Sequence, residues 1–195
     1  MVTDDGMEWA LYNLGRLYAN QDKLDEAEKM FQRALQGYEK ALGPDHTSAL
    51  SMVNSLGIVY FSQGKLDEAK KMYQRALQGM EKALGPDHTS TLNTVNNFGN
   101  LYLSQGKLDE AEEMFQRALQ GYEQALGLEN ITRYRPALIT MCNLGDLFAS
   151  QGHLDEAKEM YSRAHAGFQT LLGLSSDECQ ELEYNIASLD SKQGK

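Results

Sequence analysis

Apolar side chains in the stretch 24–42 recur every three or four positions, with charged and amide residues between them. The apolar positions are Leu24, Ala27, Met30, Phe31, Ala34, Leu35, Tyr38 and Leu42. This spacing follows the turn of an α-helix, so it predicts an amphipathic helix over residues 25–42 with one buried face. A second apolar stripe further on predicts another helix, which begins near Thr47 or Ser48 and ends at Gly64.

The pattern repeats along the chain. The string KLDEA begins at positions 23, 65 and 107, and HLDEA follows at 153, so the period is 42 residues with one step of 46. Each period contains two predicted helices. A period of this size is typical of stacked helical repeats. We therefore predict a single all-α repeat array over 1–195, with units at about 7–43, 44–85, 86–127 and 128–173 and a terminal capping helix at 176–193.

The ends of the second helix carry recognisable capping residues. Asp25 with Glu28 three positions later has the spacing of a capping box, which predicts that Asp25 is the N-cap. Gly43 and Gly85 follow the last apolar residue and are each followed by proline, so they are predicted left-handed C-caps.

A glycine recurs in the middle of every first helix, at Gly15, Gly57, Gly99 and Gly145, and Ala187 replaces it in the last helix. Glycine inside a helix costs about 1 kcal/mol relative to alanine. Its recurrence at one phase predicts a close approach by the partner helix.

Two segments depart from the pattern. Residues 127–136 contain the four extra residues, and a longer loop that acts as a spacer is expected there. The last helix is expected to expose an apolar edge formed by Leu182, Ile186 and Leu189. A terminal repeat normally has a polar outer face. The expectation is therefore that the chain was cut from a longer array, or that it associates with itself through this edge.

Several positions carry a resemblance to a known family, the tetratricopeptide repeat. Its Leu-Gly pair stands at Leu14-Gly15, Leu56-Gly57 and Leu144-Gly145, and small and aromatic residues follow in the second helix at Ala27 and Phe31 and their equivalents. The 42-residue length resembles the kinesin light chain type and the near-identical arrays of fungal NOD-like proteins, and the near-identity favours the latter. The resemblance implies a right-handed superhelical solenoid of antiparallel helix hairpins.

The same resemblance implies a function. Members of the family bind peptides on a concave face lined by the first helices, at positions around the Leu-Gly pair. The matching residues, called here the predicted peptide face, are Tyr12, Asn13, Arg16, Asn54, Ile58, Asn96, Asn97, Asn100, Asn143 and Asp146. Asparagine donates and accepts hydrogen bonds, which suits a peptide backbone. The alternative is that these asparagines only bond neighbouring hairpins. Trp9 has two interpretations, an apolar anchor for a ligand or a core residue at the end of the array.

The composition limits the classes of partner that the chain is expected to bind. The net charge of -10 argues against nucleic acid and, more weakly, against an anionic membrane. No window is apolar enough to span a bilayer. Two cysteines without metal-ligand spacing favour a reducing, cytoplasmic location.

Candidate catalytic chemistry is sparse. His46 and His88 lie in repeated turns, and neither His165 nor Cys142 has a second ligand or base at helical spacing. We predict a non-catalytic scaffold for protein or peptide binding, without cofactor or metal, in the sensing or assembly region of a larger signalling protein. The alternative function is a structural array that stacks end to end as a homo-oligomer.

Overall fold

The computed structural model describes residues 5–193, which form ten helices. Their bounds are α1 Asp5–Asn20, α2 Leu24–Leu42, α3 Thr47–Ser62, α4 Leu66–Leu84, α5 Thr89–Ser104, α6 Leu108–Leu126, α7 Leu128–Ile131, α8 Arg135–Gln151, α9 Leu154–Leu172 and α10 Asp177–Gln193. Helices of 16 to 19 residues alternate with short turns, and only α7 is a single turn. The helical pairs predicted from the apolar spacing are therefore present.

The chain divides into two compact units, Met1–Leu101 and Tyr102–Lys195. In the first unit α1 packs on α2, α2 on α3, and α3 on α4; in the second, α6 packs on α7 and α8, α8 on α9, and α9 on α10. Packing between helices that are neighbours in sequence is the order expected of helix hairpins, so the all-α prediction is confirmed. The division into the predicted repeat units stays a prediction.

The core of the first unit contains the junction between one hairpin and the next. Three buried side chains of α2 meet three of α3. They are Ala27, Phe31 and Ala34 on α2, and Met52, Leu56 and Val59 on α3. Burial of one large apolar side chain contributes about 1.5–3 kcal/mol, so this cluster is a main source of stability between hairpins.

The predicted capping box at the start of α2 is wrong. The helix begins at Leu24, its N-cap is Lys23, and no side chain caps it. Asp25 instead lies in the first turn, where a carboxylate interacts favourably with the helix dipole. Glu28 accepts one hydrogen bond from Gln32 of its own helix, over 3.0 Å, and the others from the next hairpin.

Three side chains at the end of α3 hold Glu28. The hydroxyl of Tyr60 donates to it over 3.3 Å, the amide of Gln63 over 3.1 Å and the ammonium of Lys65 over 3.3 Å. Gln63 also donates to Asp25 over 3.1 Å. Acidic residues at the start of one second helix therefore tie it to the following hairpin.

The predicted C-caps are partly corrected. Gly43 and Gly85 have positive φ of 93° and 94°, but ψ is 160° and 162°, outside the left-handed helical region. That combination is open essentially to glycine alone. The turn between α1 and α2 also contains a residue with positive φ. This residue is Asp22 at φ 59°, and the corresponding residue between α3 and α4 is Gly64 at φ 74°.

The predicted close approach is confirmed at Gly15, Gly57 and Gly145. A Cβ added to Gly15 would lie 2.8 Å from the ring of Phe31, and a Cβ at Gly57 would lie 2.5 Å from the ring of Tyr73. Gly145 and Tyr161 repeat this contact at 2.5 Å. The absence of a side chain lets an aromatic ring of the second helix rest on the backbone of the first.

The segment with the extra residues is not a plain loop, contrary to expectation. It contains the one-turn helix α7, whose Ile131 is buried, and the ring of Tyr134 lies 5.3 Å from that of Tyr122. Pro136 then stands in the first turn of α8, where its missing N–H costs nothing. Apolar anchoring turns the insertion into an ordered part of the second unit.

The predicted apolar edge on the last helix is also wrong. Leu182 and Leu189 are each 3% exposed, and Ile186 is half-buried. The reason is that the face of α10 that carries them packs on α9, as the equivalent face of α3 packs on α2. The core interpretation of Trp9 fails too, because its side chain is 65% exposed.

The glycine contact can be tested by Gly57→Ala. Alanine favours a helix by about 1 kcal/mol, but here its Cβ must displace Tyr73, so we expect a net loss of about 1–3 kcal/mol in the free energy of unfolding. Urea denaturation measures this loss. Gly6→Ala is the matched control, because nothing lies within 4 Å of the added Cβ. Equal effects of the two substitutions would contradict the packing explanation.

The Glu28 contacts predict a pH dependence. Burial alone would raise the pKa of Glu28, but the hydrogen bonds from Gln63, Lys65 and Tyr60 and the charge of Lys65 outweigh it and lower the pKa. The unfolded chain then binds more protons, so this stabilisation is present above the ordinary carboxyl value of 4.5 and is lost as the pH falls through the lowered pKa.

We expect Lys65→Met to raise the pKa of Glu28. NMR titration of the Glu28 carboxyl group measures this change. Lys40→Met is the control, since it removes the same charge from the far end of α2. The explanation fails if both variants leave the Glu28 titration unchanged.

Candidate functional site

The residues of the predicted peptide face all lie on the first helices of hairpins. In the first unit they are Tyr12, Asn13 and Arg16 on α1, Asn54 and Ile58 on α3, and Asn96, Asn97 and Asn100 on α5. In the second unit they are Asn143 and Asp146 on α8. Each unit is therefore considered by itself.

The first unit has a pocket of about 210 Å³ between α1 and α3. Three of the predicted residues, Tyr12, Arg16 and Ile58, line it together with Ser55. The guanidinium of Arg16 lies 5.6 Å from the centre of the Tyr12 ring, and that ring lies 6.0 Å from Phe31. The pocket therefore offers an aromatic wall, an aliphatic wall and one positive charge.

Several asparagines of the first unit bond within the protein. The amide of Asn97 donates to Asn54 over 3.1 Å, which links α5 to α3. The amide of Asn13 donates to the backbone oxygen of Trp9 over 2.9 Å in its own helix, and Asn96 is 8% exposed. The Asn54–Asn97 bond is of the kind that the alternative interpretation expects, whereas the bond of Asn13 stays within its own helix.

The second unit has a pocket of about 160 Å³ formed by α8, α9 and α10. Asp146 is the predicted residue that lines it. The lining also includes Ile139, Cys142, Tyr161 and Glu181, none of which belongs to the predicted peptide face. Glu181 stands 42 positions after Ile139, so the two occupy the same place in the repeat. Sequence reasoning missed both because the predicted peptide face was taken only from positions next to the Leu-Gly pair.

Negative charge dominates the second pocket. Asp146 accepts a hydrogen bond of 2.6 Å from the hydroxyl of Tyr161. Burial, together with the charges of Asp146 and Glu181, raises the pKa of the Cys142 thiol to about 12. Burial and the bond to Asp146 also raise the pKa of Tyr161. Both groups are thus protonated at neutral pH, so the thiol is no nucleophile and the pocket favours a cation or a hydrogen-bond donor.

One ion pair closes the rim of this pocket. The guanidinium of Arg135 donates to Glu178 over 2.9 Å and lies 6.0 Å from the ring of Phe168. The pair joins the start of α8 to the start of α10. It therefore links the two walls at the rim, beside the carboxylates of Asp146 and Glu181.

Residues 5–193 contain neither a metal-binding cluster nor a membrane-spanning helix. No group of three or more His, Cys, Asp or Glu side chains is arranged to hold a metal ion. No helix in this range is long and apolar enough to cross a membrane. The predictions that no metal or cofactor binds stay predictions.

Comparison with known proteins identifies the family. Three tetratricopeptide repeat models match residues 9–48, 47–124 and 96–167. The chain belongs to the tetratricopeptide repeat family. Its members generally mediate contacts between proteins and are typically non-catalytic scaffolds. No curated protein matches the chain significantly.

Solved structures of similar fold agree with this family. BtubC (BKLC) from P. vanneervenii has a TM-score of 0.77 at 21% identity, over 94% of this chain and 72% of that one. A putative kinesin light chain from Podosopora anserina with nearly identical TPR-like repeats has a TM-score of 0.72 at 19% identity, over 95% of this chain and 86% of that one. A single-substitution variant of that Podosopora protein has a TM-score of 0.73 at 19% identity, over 95% and 85%. The predicted class, an all-α helical-repeat solenoid of the kinesin light chain type, is confirmed.

The Asn54–Asn97 bond can be measured by a double-mutant cycle. We expect Asn54→Ala and Asn97→Ala to be coupled by about 0.5–1.5 kcal/mol, the usual net value of one hydrogen bond. Urea unfolding of the two single variants and the double variant gives the coupling energy. Strictly additive losses would show that these asparagines do not stabilise the array through each other.

Proposed function

We propose that the chain is a non-catalytic scaffold that binds a protein or peptide segment on the predicted peptide face, within the sensing or assembly region of a larger signalling protein. The observation that carries this proposal is the pocket among α8, α9 and α10. It is open to solvent, lies beside the predicted residue Asp146, and combines apolar walls with acidic groups.

The volumes of the two pockets favour a peptide over a small metabolite as the ligand. Sites for small molecules usually enclose about 300–1,000 Å³. The two pockets measure about 210 and 160 Å³, so each has room for one large side chain. A partner that inserts a single large side chain into either pocket is a polypeptide.

Each pocket selects a different side chain. In the first unit, Arg16 beside Tyr12 suits an acidic or aromatic side chain. In the second unit, Asp146 and Glu181 beside Ile139 suit lysine or arginine, whose long aliphatic stem packs on an apolar wall while the charge reaches the carboxylates. The side chain bound in the second pocket is therefore proposed to be basic.

Two further predictions remain open. The cytoplasmic location rests on the cysteine count, and Cys142 and Cys179 are both unpaired thiols in the structure. Stacking of copies end to end no longer has its original support, because Leu182 and Leu189 are buried.

Panning a phage-displayed library of random peptides on the full chain tests the proposed function. We expect enriched peptides to contain a basic residue, and calorimetry to show that Glu181→Lys weakens their binding at least about tenfold, or about 1.4 kcal/mol. Glu159→Lys is the matched control, since it makes the same change at an exposed position of α9 outside both pockets.

Ile58→Lys provides the corresponding test of the first pocket. The enriched peptides could instead bind the unmodified chain and both variants, Glu181→Lys and Ile58→Lys, with the same affinity. That result would show that neither pocket is the binding site.

A further inference from the structure

The second pocket, among α8, α9 and α10, has a counterpart between α3 and α5 in the first unit. Corresponding residues lie 88 positions apart, which is one step of 42 and one of 46. Around the second pocket stand Arg135, Ile139, Cys142, Asp146, Glu178 and Glu181, where α3 and α5 carry Thr47, Ser51, Asn54, Ile58, Ser90 and Asn93. The counterparts are all uncharged, so the charge of the second pocket is a property of this hairpin and not of the repeat.

A hydrogen bond closes the corresponding space in the first unit. There the amide of Asn97 donates to Asn54 over 3.1 Å and links α5 to α3. In the second unit the corresponding pair is Asn185 and Cys142, and both line the pocket. A thiol is a weak hydrogen-bond donor and acceptor, so it does not reproduce a bond between two amides. The space between α8 and α10 is therefore open to a side chain from outside.

Tyr161 holds the Asp146 carboxylate in place. The absence of a side chain at Gly145 lets the Tyr161 ring rest on the backbone of α8, where an added Cβ would lie 2.5 Å from the ring. The Tyr161 hydroxyl then donates to Asp146, the next residue along α8, over 2.6 Å. The corresponding pair in the first unit is Tyr73 and Ile58, which offers no acceptor, and the other two hairpins have phenylalanine at the ring position. Among the four hairpins of the sequence, this one alone combines a ring hydroxyl with a carboxylate.

Asp146 and Glu181 act on the same space from opposite helices. Asp146 lies on α8 and Glu181 on α10, and both line the pocket. Burial raises the pKa values of Cys142 and Tyr161, and the charges of both carboxylates raise them further. Two negative charges therefore converge on one opening from its two walls.

The rim of the pocket already holds one guanidinium. Arg135 pairs with the Glu178 carboxylate over 2.9 Å and lies 6.0 Å from the centre of the Phe168 ring. This pair compensates the charge of Glu178. Within the range 5–193, neither Asp146 nor Glu181 forms a salt bridge. A cation that enters the pocket would therefore meet two carboxylates whose charge is not compensated.

Lysine and arginine differ in what they offer to such a pocket. A guanidinium is flat, weakly hydrated and carries five N–H donors in a rigid fork, so its edges can bond carboxylates on two sides while its faces rest on apolar groups. Ile139 on α8 and Leu182 on α10 provide those apolar groups. A lysine ammonium is a compact, strongly hydrated charge, and it gains less from acceptors on opposite walls.

We propose that the second pocket selects arginine over lysine, with the guanidinium held between Asp146 and Glu181. Tyr161 is a positioning residue, because it fixes the carboxylate that the guanidinium meets on α8. The side-chain amide oxygen of Asn185 accepts a further N–H. This inference rests on the proposed function and narrows it to one side chain of the partner.

Two blocked tripeptides, Ala-Arg-Ala and Ala-Lys-Ala, are the probes. Each is titrated into the full chain labelled with ¹⁵N, and the backbone amide of Gly145 and the side-chain amide of Asn185 report binding by NMR. We expect saturable shifts with millimolar dissociation constants, and binding of the arginine peptide at least about fivefold tighter, or about 1 kcal/mol. A third peptide with dimethylated arginine keeps the charge but loses N–H donors, so it is expected to bind no tighter than the lysine peptide.

Variants of the chain locate the contacts. Asp146→Asn and Glu181→Gln are each expected to weaken the arginine peptide about fivefold, or about 1 kcal/mol. Glu159→Gln is the matched control, because it removes the same charge at an exposed position of α9 outside both pockets, and it is expected to leave binding unchanged.

Tyr161→Phe tests the positioning role. Two other hairpins carry phenylalanine at this place, so the fold accepts it. We expect this variant to reduce the preference for the arginine peptide over the lysine peptide while its thermal unfolding stays close to that of the unmodified chain. A residue with a structural role alone would weaken both peptides by the same factor.

Three results would overturn the inference. The first is equal affinity of the arginine and lysine peptides, the second is equal affinity of the arginine and dimethylarginine peptides, and the third is the lack of a saturable shift at Gly145 and Asn185. Equal affinities that Glu181→Gln still lowers would leave the proposed function intact. Panned peptides that respond to Ile58→Lys and not to Glu181→Lys would also leave it intact, with the partner in the first pocket.

Discussion

The rest of the structure depends on one packing contact, in which the small–aromatic–small face of a second helix lies on the aliphatic face of the helix that follows it. In the first unit Ala27, Phe31 and Ala34 meet Met52, Leu56 and Val59. A single hairpin cannot bury these faces, because each needs a neighbour on its other side. The mid-helix glycines serve the same contact from within the hairpin, since Gly57 lets the ring of Tyr73 come close enough to fill the space between two helices.

Periodicity predicts the helices and the glycine contacts well, because both follow from local spacing repeated at one phase. It fails where a side chain has two possible partners. Glu28 has the spacing of a capping box, yet it caps no helix, and three of its four partners are Tyr60, Gln63 and Lys65 of the next hairpin, more than 30 positions away. Leu182 and Leu189 were expected at an exposed edge because a stripe in sequence does not say which of two neighbours it faces. Comparison with the register of Met52 and Val59 shows that the stripe faces the preceding helix.

The sequence predicted only part of the candidate site. The family register leads to Tyr12, Arg16, Ile58 and Asp146, which line the two pockets. It also leads to Asn54 and Asn97, whose amides bond each other. Glu181 was missed, although it contributes charge to the second pocket, because the predicted peptide face was taken only from positions next to the Leu-Gly pair. The electrostatic character of a pocket depends on which helices converge there, and a repeat pattern of near-identical units contains little of that information.

The exposed faces of α1 and α10 differ in chemistry. The α1 face carries Met7, Leu14 and Leu17, which are 52%, 38% and 51% exposed, whereas α10 exposes Gln180, Glu183 and Asp190. The two carboxylates of α10 already have partners on α9, since Glu183 contacts His165 and Asp190 pairs with Lys158. A protein surface laid on the α1 face would release ordered water from apolar groups, whereas one laid on α10 would strip water from charged groups and compete with their ion pairs.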